Sequence, residues 1–173
     1  CGSIENNGYL QNSGTLTFTG NLDVTNDATF TRDFTNEGTI KVSKNATFSD
    51  MFTNKGNLSV IGDGTFSYEV NNSGTISISK NANFDASLIN SGTITCGAGD
   101  FTVTEFYSGT GTLTLPSGKS TFRGNVTNNY VKFGKYTEDA YALYDENTGT
   151  SSYSSTPCDT SELGCFKIAS AND

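Results

Sequence analysis

Residues 34–51 read F-T-N-E-G-T-I-K-V-S-K-N-A-T-F-S-D-M, and this pattern returns in varied form further along the chain. Residues 52–69 read F-T-N-K-G-N-L-S-V-I-G-D-G-T-F-S-Y-E, residues 70–87 read V-N-N-S-G-T-I-S-I-S-K-N-A-N-F-D-A-S, and residues 88–96 read L-I-N-S-G-T-I-T-C. The repeat period is therefore 18 residues. Self-similarity at a fixed period near 20 residues is typical of repeat architectures, in which each repeat packs mainly on its neighbours.

Each repeat contains a short stretch of strict alternation between apolar and polar residues. Ile40 and Val42 alternate with Thr39 and Lys41, which is the period of a β-strand with one buried face. The same apolar pair recurs as Leu58/Val60, Ile76/Ile78, Ile94/Cys96 and Leu113/Leu115. This alternation predicts one strand per repeat with its apolar side turned inward.

Two further apolar columns complete the predicted core. The first contains Phe30, Phe48, Phe66, Phe84, Phe101 and Phe122. The second contains Phe34, Phe52, Val70, Leu88, Phe106 and Val126. Three short strands and three corners use the length of one repeat, and parallel stacking about 4.8 Å apart would bury what one repeat cannot. The sequence therefore predicts an all-β fold, a single-stranded parallel β-helix (β-solenoid) with triangular coils and a solid core.

Polar residues and glycines recur where the corners of such a coil would lie. One predicted corner column holds Asn36, Asn54, Asn72 and Asn90, each followed two residues later by Gly38, Gly56, Gly74 or Gly92. We expect the amides to hydrogen-bond along the stack and the glycines to supply a positive φ. A second column holds Asp27, Asn45, Asp63 and Asn81. A structural role is favoured over a calcium site here, because the calcium-binding nonapeptide pattern is absent.

The repeat pattern divides the chain into a solenoid over residues 1–129 and a tail over residues 130–173. Residues 1–24 form the N-terminal coils with a six-residue beat, residues 25–105 the regular repeats, and residues 106–129 the last irregular coils. The spacing changes after residue 96, which predicts an altered corner over residues 97–100. The tail is rich in Tyr, Ser and Thr, and we expect it either to cap its own solenoid or to join a neighbouring molecule.

Composition excludes several classes of function. The chain of 173 residues has a net charge of −8 and contains neither His nor Trp. Few basic residues argue against nucleic-acid binding, and no apolar run reaches membrane-spanning length. The lack of His removes the commonest general base and metal ligand, so we expect no enzyme activity, no metal and no cofactor. No signal peptide is recognised, which suits a mature secreted form.

The four cysteines give separate expectations. Cys158 and Cys165 bracket six residues, and a disulfide between them would indicate an extracellular setting. Cys96 occupies an inward strand position and is expected to be a buried free thiol. Cys1, followed by Gly2 and Ser3, resembles the start of a processed bacterial lipoprotein. Lipidation of Cys1, a disulfide and a free thiol stay open as alternatives.

The recurring N-x-G-T-[IL]-x-[VI] segment carries a resemblance to a known family. It begins at Asn36, Asn72 and Asn90, with looser forms at Asn12 and Asn54. Over residues 4–129 it resembles the β-helical passenger repeats of bacterial autotransporter and filamentous-haemagglutinin-type surface adhesins. The resemblance implies a right-handed parallel β-helix outside the cell. The six-residue beat suits a left-handed helix equally well, so the handedness stays open.

Three classes of function fit such a chain. The first is an extracellular structural protein, a subunit of a cell-surface filament or an adhesin stalk that stacks head to tail on itself or binds a host or cell surface. The second is an ice-binding protein whose outward face would contain Thr39, Thr75, Ser77, Thr93, Thr95, Thr112 and Thr114. The third is a polysaccharide-binding or polysaccharide-cleaving β-helix protein, with Asp33, Asp50, Glu69 and Glu105 near one corner.

Overall fold

The computed structural model describes the backbone of residues 3–116, 118–124, 126–127, 131–133, 140–145, 150–154 and 165–168. It describes the side chains of residues 3–116 and 118–124. All regular elements in these ranges are β-strands, which confirms the predicted fold class. The described ranges accordingly hold no helix with the length and apolarity that crossing a bilayer requires.

The strands form three sheets, here called A, B and C. Sheet A contains β1 (Ser3–Asn6), β4 (Asn21–Val24), β7 (Thr39–Val42), β10 (Asn57–Val60), β13 (Thr75–Ile78), β16 (Thr93–Cys96), β19 (Thr112–Leu115) and β22 (Val131–Phe133). Sheet B contains β2 (Leu10–Asn12), β5 (Ala28–Phe30), β8 (Ala46–Phe48), β11 (Gly64–Phe66), β14 (Ala82–Phe84), β17 (Phe101–Val103), β20 (Ser120–Phe122), β24 (Thr150–Ser154), β23 (Ala140–Asp145) and β25 (Cys165–Ile168). Sheet C contains β3 (Leu16–Phe18), β6 (Phe34–Asn36), β9 (Phe52–Asn54), β12 (Val70–Asn72), β15 (Leu88–Asn90), β18 (Tyr107–Ser108) and β21 (Val126–Thr127).

Each strand of the repeat region pairs in parallel with the equivalent strand of the next coil. Leu58, for example, lies between Ile40 of the preceding coil and Ile76 of the following one. Successive strands along the chain therefore belong to sheets A, B and C in turn, which is the path of a parallel β-solenoid of seven coils. The pairing also continues past residue 129, because Val131–Phe133 adds to sheet A.

Stacked phenylalanines fill the interior. The ring centroids of Phe30 and Phe48 are 4.8 Å apart, those of Phe48 and Phe66 are 5.0 Å apart, and those of Phe66 and Phe84 are 4.7 Å apart. The planes of the last two pairs differ by only 2°. Each ring is buried and lies one interstrand spacing from the next, so the backbone repeat fixes the ring spacing.

The aromatic column changes register after Phe84. Phe101 is buried as predicted, but it stands opposite Ala82, while Val103 stands opposite Phe84. The cause is one extra residue in the corner at 97–100, where Gly99 adopts a φ of 88°. In this coil, the large side chain of Phe101 therefore lies in the column of Ala82, and the smaller side chain of Val103 lies in the column of Phe84. Phe122 returns to the original column and stands opposite Val103.

Phe106 is not a core residue, contrary to the sequence prediction. Tyr107 stands opposite Leu88 and is fully buried, whereas the side chain of Phe106 is 41% exposed. The same one-residue insertion explains the shift, because β18 begins one position later than an 18-residue period from β15 would place it. The residue 18 positions after Leu88 is therefore Phe106, which lies at a corner and not in the core.

The four predicted corner asparagines lie inside the solenoid and form a hydrogen-bonded ladder. Asn36 Nδ2 donates to Asn54 Oδ1, Asn54 to Asn72 and Asn72 to Asn90, each at 2.8 Å. The second Nδ2 hydrogen of each side chain is directed to backbone carbonyl oxygens, such as that of Asn57 for Asn36. The ladder ends at Tyr107, whose hydroxyl oxygen accepts from Asn90 at 3.3 Å. The expected bonding along the stack is confirmed.

The paired glycines serve a different purpose from the predicted one. Among the described residues a positive φ occurs at Gly99 and Gly109, and at none of the four predicted positions. A Cβ at Gly56 would instead overlap the carbonyl oxygen of Gly38, and the same relation holds one coil on in each direction. Glycine is needed at these corners because successive coils approach too closely for any side chain.

The second corner column is also structural. Asp27 Oδ1 accepts from the backbone N–H of Asn45 at 3.0 Å, and Asn45 Oδ1 accepts from Asp63 at 2.9 Å. In the same way, Asp63 Oδ1 accepts from the backbone N–H of Asn81, and Asn81 Oδ1 accepts from that of Asp100. Each side-chain oxygen thus holds the start of the next coil, an acceptor role that Asp and Asn can both fill.

Candidate functional site

The N-terminal end of the solenoid leaves three strand edges open. β1, β2 and β3 are the outermost strands of sheets A, B and C at this end, within the residues that the structure describes. All three run parallel to the strands beneath them. Unpaired N–H and C=O groups on such edges can pair with a further strand.

An apolar cavity of about 330 Å³ lies beside these edges. Apolar side chains make up most of its lining, namely Ile4, Leu10, Leu16, Phe18, Leu22 and Phe30. Ile4 is 53% exposed, although its neighbour one coil on, Leu22, is buried. The end of the core is therefore accessible to another molecule.

At this end the first coil has asparagines where the next coil has apolar residues, and one of them, Asn12, lines the cavity. Asn12 stands opposite Phe30, and Asn6 stands opposite Val24. Their Oδ1 atoms accept from the backbone N–H groups of Gly14 and Gly8 at 2.7 and 2.8 Å. In sheet C, Phe18 stands opposite Asn36, so the first coil has no asparagine at the ladder position. The looser motif at Asn12 is therefore out of register with the interior asparagine ladder.

The C-terminal end is built differently. β24 pairs antiparallel with β20 through Thr121–Ser152 and Phe122–Ser151, and β23 and β25 extend the same sheet. Among the described residues, sheet B therefore has 10 strands, whereas sheet A has 8 and sheet C has 7. The described strands of the tail thus pair with the solenoid of their own chain.

The predicted threonine face is largely assembled. Thr75, Thr93 and Thr112 form one register column on sheet A, and Ser77, Thr95 and Thr114 form the adjacent one. All six side chains are half-buried or exposed. Asn57 lies between Thr39 and Thr75, so Thr39 is separated from the other hydroxyl groups. The coils around Thr39 also carry an ion pair between Lys41 and Asp23 at 4.0 Å. The hydroxyl array is therefore confined to three neighbouring coils.

Sequence reasoning missed a second threonine column on sheet B. It consists of one half-buried residue per coil, namely Thr29, Thr47, Thr65, Thr102 and Thr121, with Asn83 in the series. The signal was present in the sequence, because all but one of these residues directly precede a column phenylalanine. The column is one residue wide, since each solenoid strand of sheet B from β5 to β20 turns a single side chain outward.

The corner carboxylates are held by neighbouring polar groups. Glu105 Oε2 accepts from the Ser87 hydroxyl at 2.6 Å, and Glu69 Oε1 accepts from Asn71 Nδ2 at 2.7 Å. No carboxylate lines the N-terminal cavity or a shallower one of about 110 Å³ beside Asn71. The described residues also contain no cluster of three or more His, Cys, Asp or Glu suited to a metal. Neither of these two cavities therefore brings together the pair of carboxylates that a glycosidase requires.

Of the predictions made for the four cysteines, the structure tests the one made for Cys96. Cys96 is a buried free thiol, and burial raises its pKa to about 12. The thiol therefore stays protonated at neutral pH. Cys1 and Cys158 lie outside the described residues, and the structure gives only the backbone of Cys165, so the predicted disulfide and lipidation stay predictions.

No family model, no curated protein and no solved structure matches this chain. The fold and the surfaces described above are therefore the basis for an assignment of function.

Proposed function

We propose that this protein is a non-enzymatic structural component of the cell exterior, a rod that assembles end to end into a filament or an adhesin stalk. The single observation that carries the proposal is the N-terminal end, where three open parallel edges surround an accessible apolar core. Solenoids either cover such an end or use it for contact. The chain leaves it uncovered within its described residues.

The contact chemistry of this end suits a strand from another molecule. Backbone groups of β1, β2 and β3 can extend the parallel ladders, and Ile4, Leu10 and Leu16 can be buried by the incoming side chains. Burial of apolar surface contributes about 25 cal/mol per Å², so the cavity and its rim favour an apolar partner. The two ends of the solenoid differ in structure, and a contact between unlike ends leaves a free end for further addition.

We also propose that this protein is related to bacterial surface adhesins and that it lies outside the cell. Support comes from the N-x-G-T-I repeats, the Asn-, Thr- and Ser-rich surface and the acidic charge of −8. A host or cell surface is the alternative partner to a second copy of the chain.

Electron microscopy of the full chain tests the proposal. We expect filaments one solenoid wide whose length increases with protein concentration. The double variant Leu10→Lys/Leu16→Lys places two charges beside the open core and is expected to give single short rods. The matched control Ser49→Lys/Ser67→Lys adds the same charges to exposed positions in the middle of the rod and is expected to assemble normally.

Short single rods from the wild-type chain at every concentration would contradict end-to-end assembly. Equal filaments from both double variants would show that the N-terminal core is not the contact. Circular dichroism of each variant establishes whether the solenoid itself is intact.

A second candidate function is ice binding, favoured by the array of six threonine and serine side chains on sheet A. Successive hydroxyl groups within one column lie about 4.8 Å apart, and the two columns lie about 6.6 Å apart along the strands, so the spacing is regular in both directions. We expect Thr93→Lys/Thr95→Lys to abolish thermal hysteresis, while Ser49→Lys/Ser67→Lys leaves it unchanged. Absence of thermal hysteresis in the wild-type chain would exclude this candidate.

A further inference from the structure

We infer that the strand accepted by the N-terminal end adds to β1 in parallel, with an apolar residue opposite Ile4 and a lysine or arginine opposite Glu5. The occupant is therefore an apolar and basic β-strand of another polypeptide chain. This inference rests on the proposed use of the N-terminal end as a contact surface, and it names the edge and the chemistry of that contact.

β1 presents the largest open backbone edge of the three strands at this end. Asn6 O accepts from the backbone N–H of Thr25 at 3.0 Å, so the backbone of Asn6 faces the second coil. Because the polar groups of successive strand residues face opposite sides, the N–H and C=O groups of Ser3 and Glu5 face the open edge. β2 and β3 each turn only their middle residue to that edge, since the outer residues of both strands bond to the second coil.

The inward side of β1 requires an apolar side chain in the incoming strand. Ile4 begins an inward column that continues with Leu22 and Ile40. Leu22 and Ile40 are buried because each has a coil on both sides, whereas Ile4 is 53% exposed and lines the apolar cavity. An apolar residue opposite Ile4 would remove this surface from water, as happens in the rest of the column.

The outward side of β1 selects a basic residue at the next position. Glu5 is the only charged residue of the first coil, residues 3–20, and it stands opposite Asp23 of the second coil. Asp23 in turn stands opposite Lys41 and forms an ion pair with it at 4.0 Å. Among the described residues, Glu5 has no such cation. Like charges on neighbouring strands are unfavourable and opposite charges are favourable, so a basic residue is preferred on the open side of Glu5.

The other charged groups of the second coil lie at its corners and not on sheet A. They are Asp27, Arg32, Asp33 and Glu37. Asp27 Oδ1 accepts from the backbone N–H of Asn45, and Glu37 pairs with Lys55 at 2.9 Å. A strand on β1 therefore meets the carboxylates of Glu5 and Asp23 first. Such charge complementarity contributes to the choice of partner more than to affinity, which the backbone and apolar contacts supply.

The third coil contains a strand of the required kind. β7 adds in parallel to β4, with Ile40 opposite Leu22 and Lys41 opposite Asp23. This is the arrangement inferred for β1, one coil earlier. A peptide with the sequence of residues 38–43, G-T-I-K-V-S, is therefore a suitable probe of the open edge.

The experiment measures binding of this peptide, here called the Lys peptide, to the full-length chain by fluorescence anisotropy, at chain concentrations below those that give filaments. The Glu peptide has glutamate in place of the lysine. We expect the wild-type chain to bind the Lys peptide about three- to tenfold more tightly than the Glu peptide. Glu5→Lys should reverse this preference. The matched control Asp33→Lys changes the net charge equally at an exposed corner and should keep the wild-type preference.

The outcomes separate this inference from the proposed function. Equal binding of the two peptides, or no binding up to millimolar concentration, would overturn the β1 contact, and filaments from the same chain would leave end-to-end assembly standing. Loss of the preference in Asp33→Lys would show that overall charge, and not β1, selects the peptide. Selective binding of the Lys peptide by a chain that never forms filaments would support the β1 contact and overturn self-assembly in favour of a different partner chain.

Discussion

Phe66 illustrates how single residues stabilise this fold. Its ring lies 5.0 Å from Phe48, 4.7 Å from Phe84 and 5.6 Å from Phe52, and the side chain is fully buried. A ring in the middle of a stack contacts both neighbouring coils as well as its own. Loss of one ring therefore weakens three coils together.

We predict that Phe66→Ala lowers the free energy of unfolding by about 3–5 kcal/mol, the usual cost of removing a buried aromatic ring. Urea denaturation monitored by circular dichroism measures the change. Thr65→Ala is the matched control, because Thr65 is the outward neighbour in the same strand, and its effect should stay within about 0.5 kcal/mol. An unchanged midpoint for Phe66→Ala would contradict its place in the aromatic stack.

At the scale of single residues, sequence reasoning succeeded where the period is strict. Phe48, Phe66 and Phe84 are buried and stacked. Each is 18 residues from the next, which is also the length of one coil, so they occupy the same position in successive coils. The prediction failed at Phe106, because the change of spacing is visible after residue 96 but its one-residue shift was not carried into the next strand. It also gave the wrong reason for Gly56, because close approach between coils depends on the path of a neighbouring coil.

Among the elements, the interior asparagine ladder has the highest density of buried polar contacts. Asn72 Oδ1 accepts from Asn54, and Asn72 Nδ2 donates to Asn90 Oδ1 at 2.8 Å and to the carbonyl oxygen of Thr93 at 3.3 Å. No buried side-chain polar atom in the described part of the chain lacks a partner. Removal of one amide therefore takes a hydrogen bond from the asparagines of both neighbouring coils.

We predict that Asn72→Ala costs about 2–5 kcal/mol, since each buried polar group left without a partner costs about 1–3 kcal/mol. Asn71→Ala is the control, because that half-exposed side chain loses one bond to Glu69 and remains accessible to water. Thermal denaturation of both variants measures the difference. If the two substitutions had equal effects, the ladder would contribute no more than a surface amide.

The strands themselves could be predicted from alternation and period, but the ladder's position could not. Asparagine is usual in corners, and the sequence gives no direct sign that Asn36 and its equivalents turn inward. Their burial follows from the pairing of each with an identical residue one coil on, which satisfies the amide inside the core. The second threonine column escaped notice because one outward residue per strand produces no alternation.

For the whole molecule, the two ends differ in structure. The N-terminal end presents the open strands β1, β2 and β3, whereas at the C-terminal end β24, β23 and β25 add to β20. Only the stacking of coils assigns these features to opposite ends of a rod. The pairing of the tail with β20 could not be predicted, because residues 130–173 carry no repeat from which a register follows.

The strict period also sets how the length of this protein can change. Removal of residues 57–74 would join Gly56 to Thr75, place Thr39 directly beside Thr75 and leave every column continuous. The rod would become shorter by one interstrand distance, about 4.8 Å. Gain or loss of whole repeats can thus adjust reach in fixed increments with no redesign of the interior. We expect such changes to be tolerated between residues 21 and 92, because the added corner residue after Cys96 ends the interchangeability of coils.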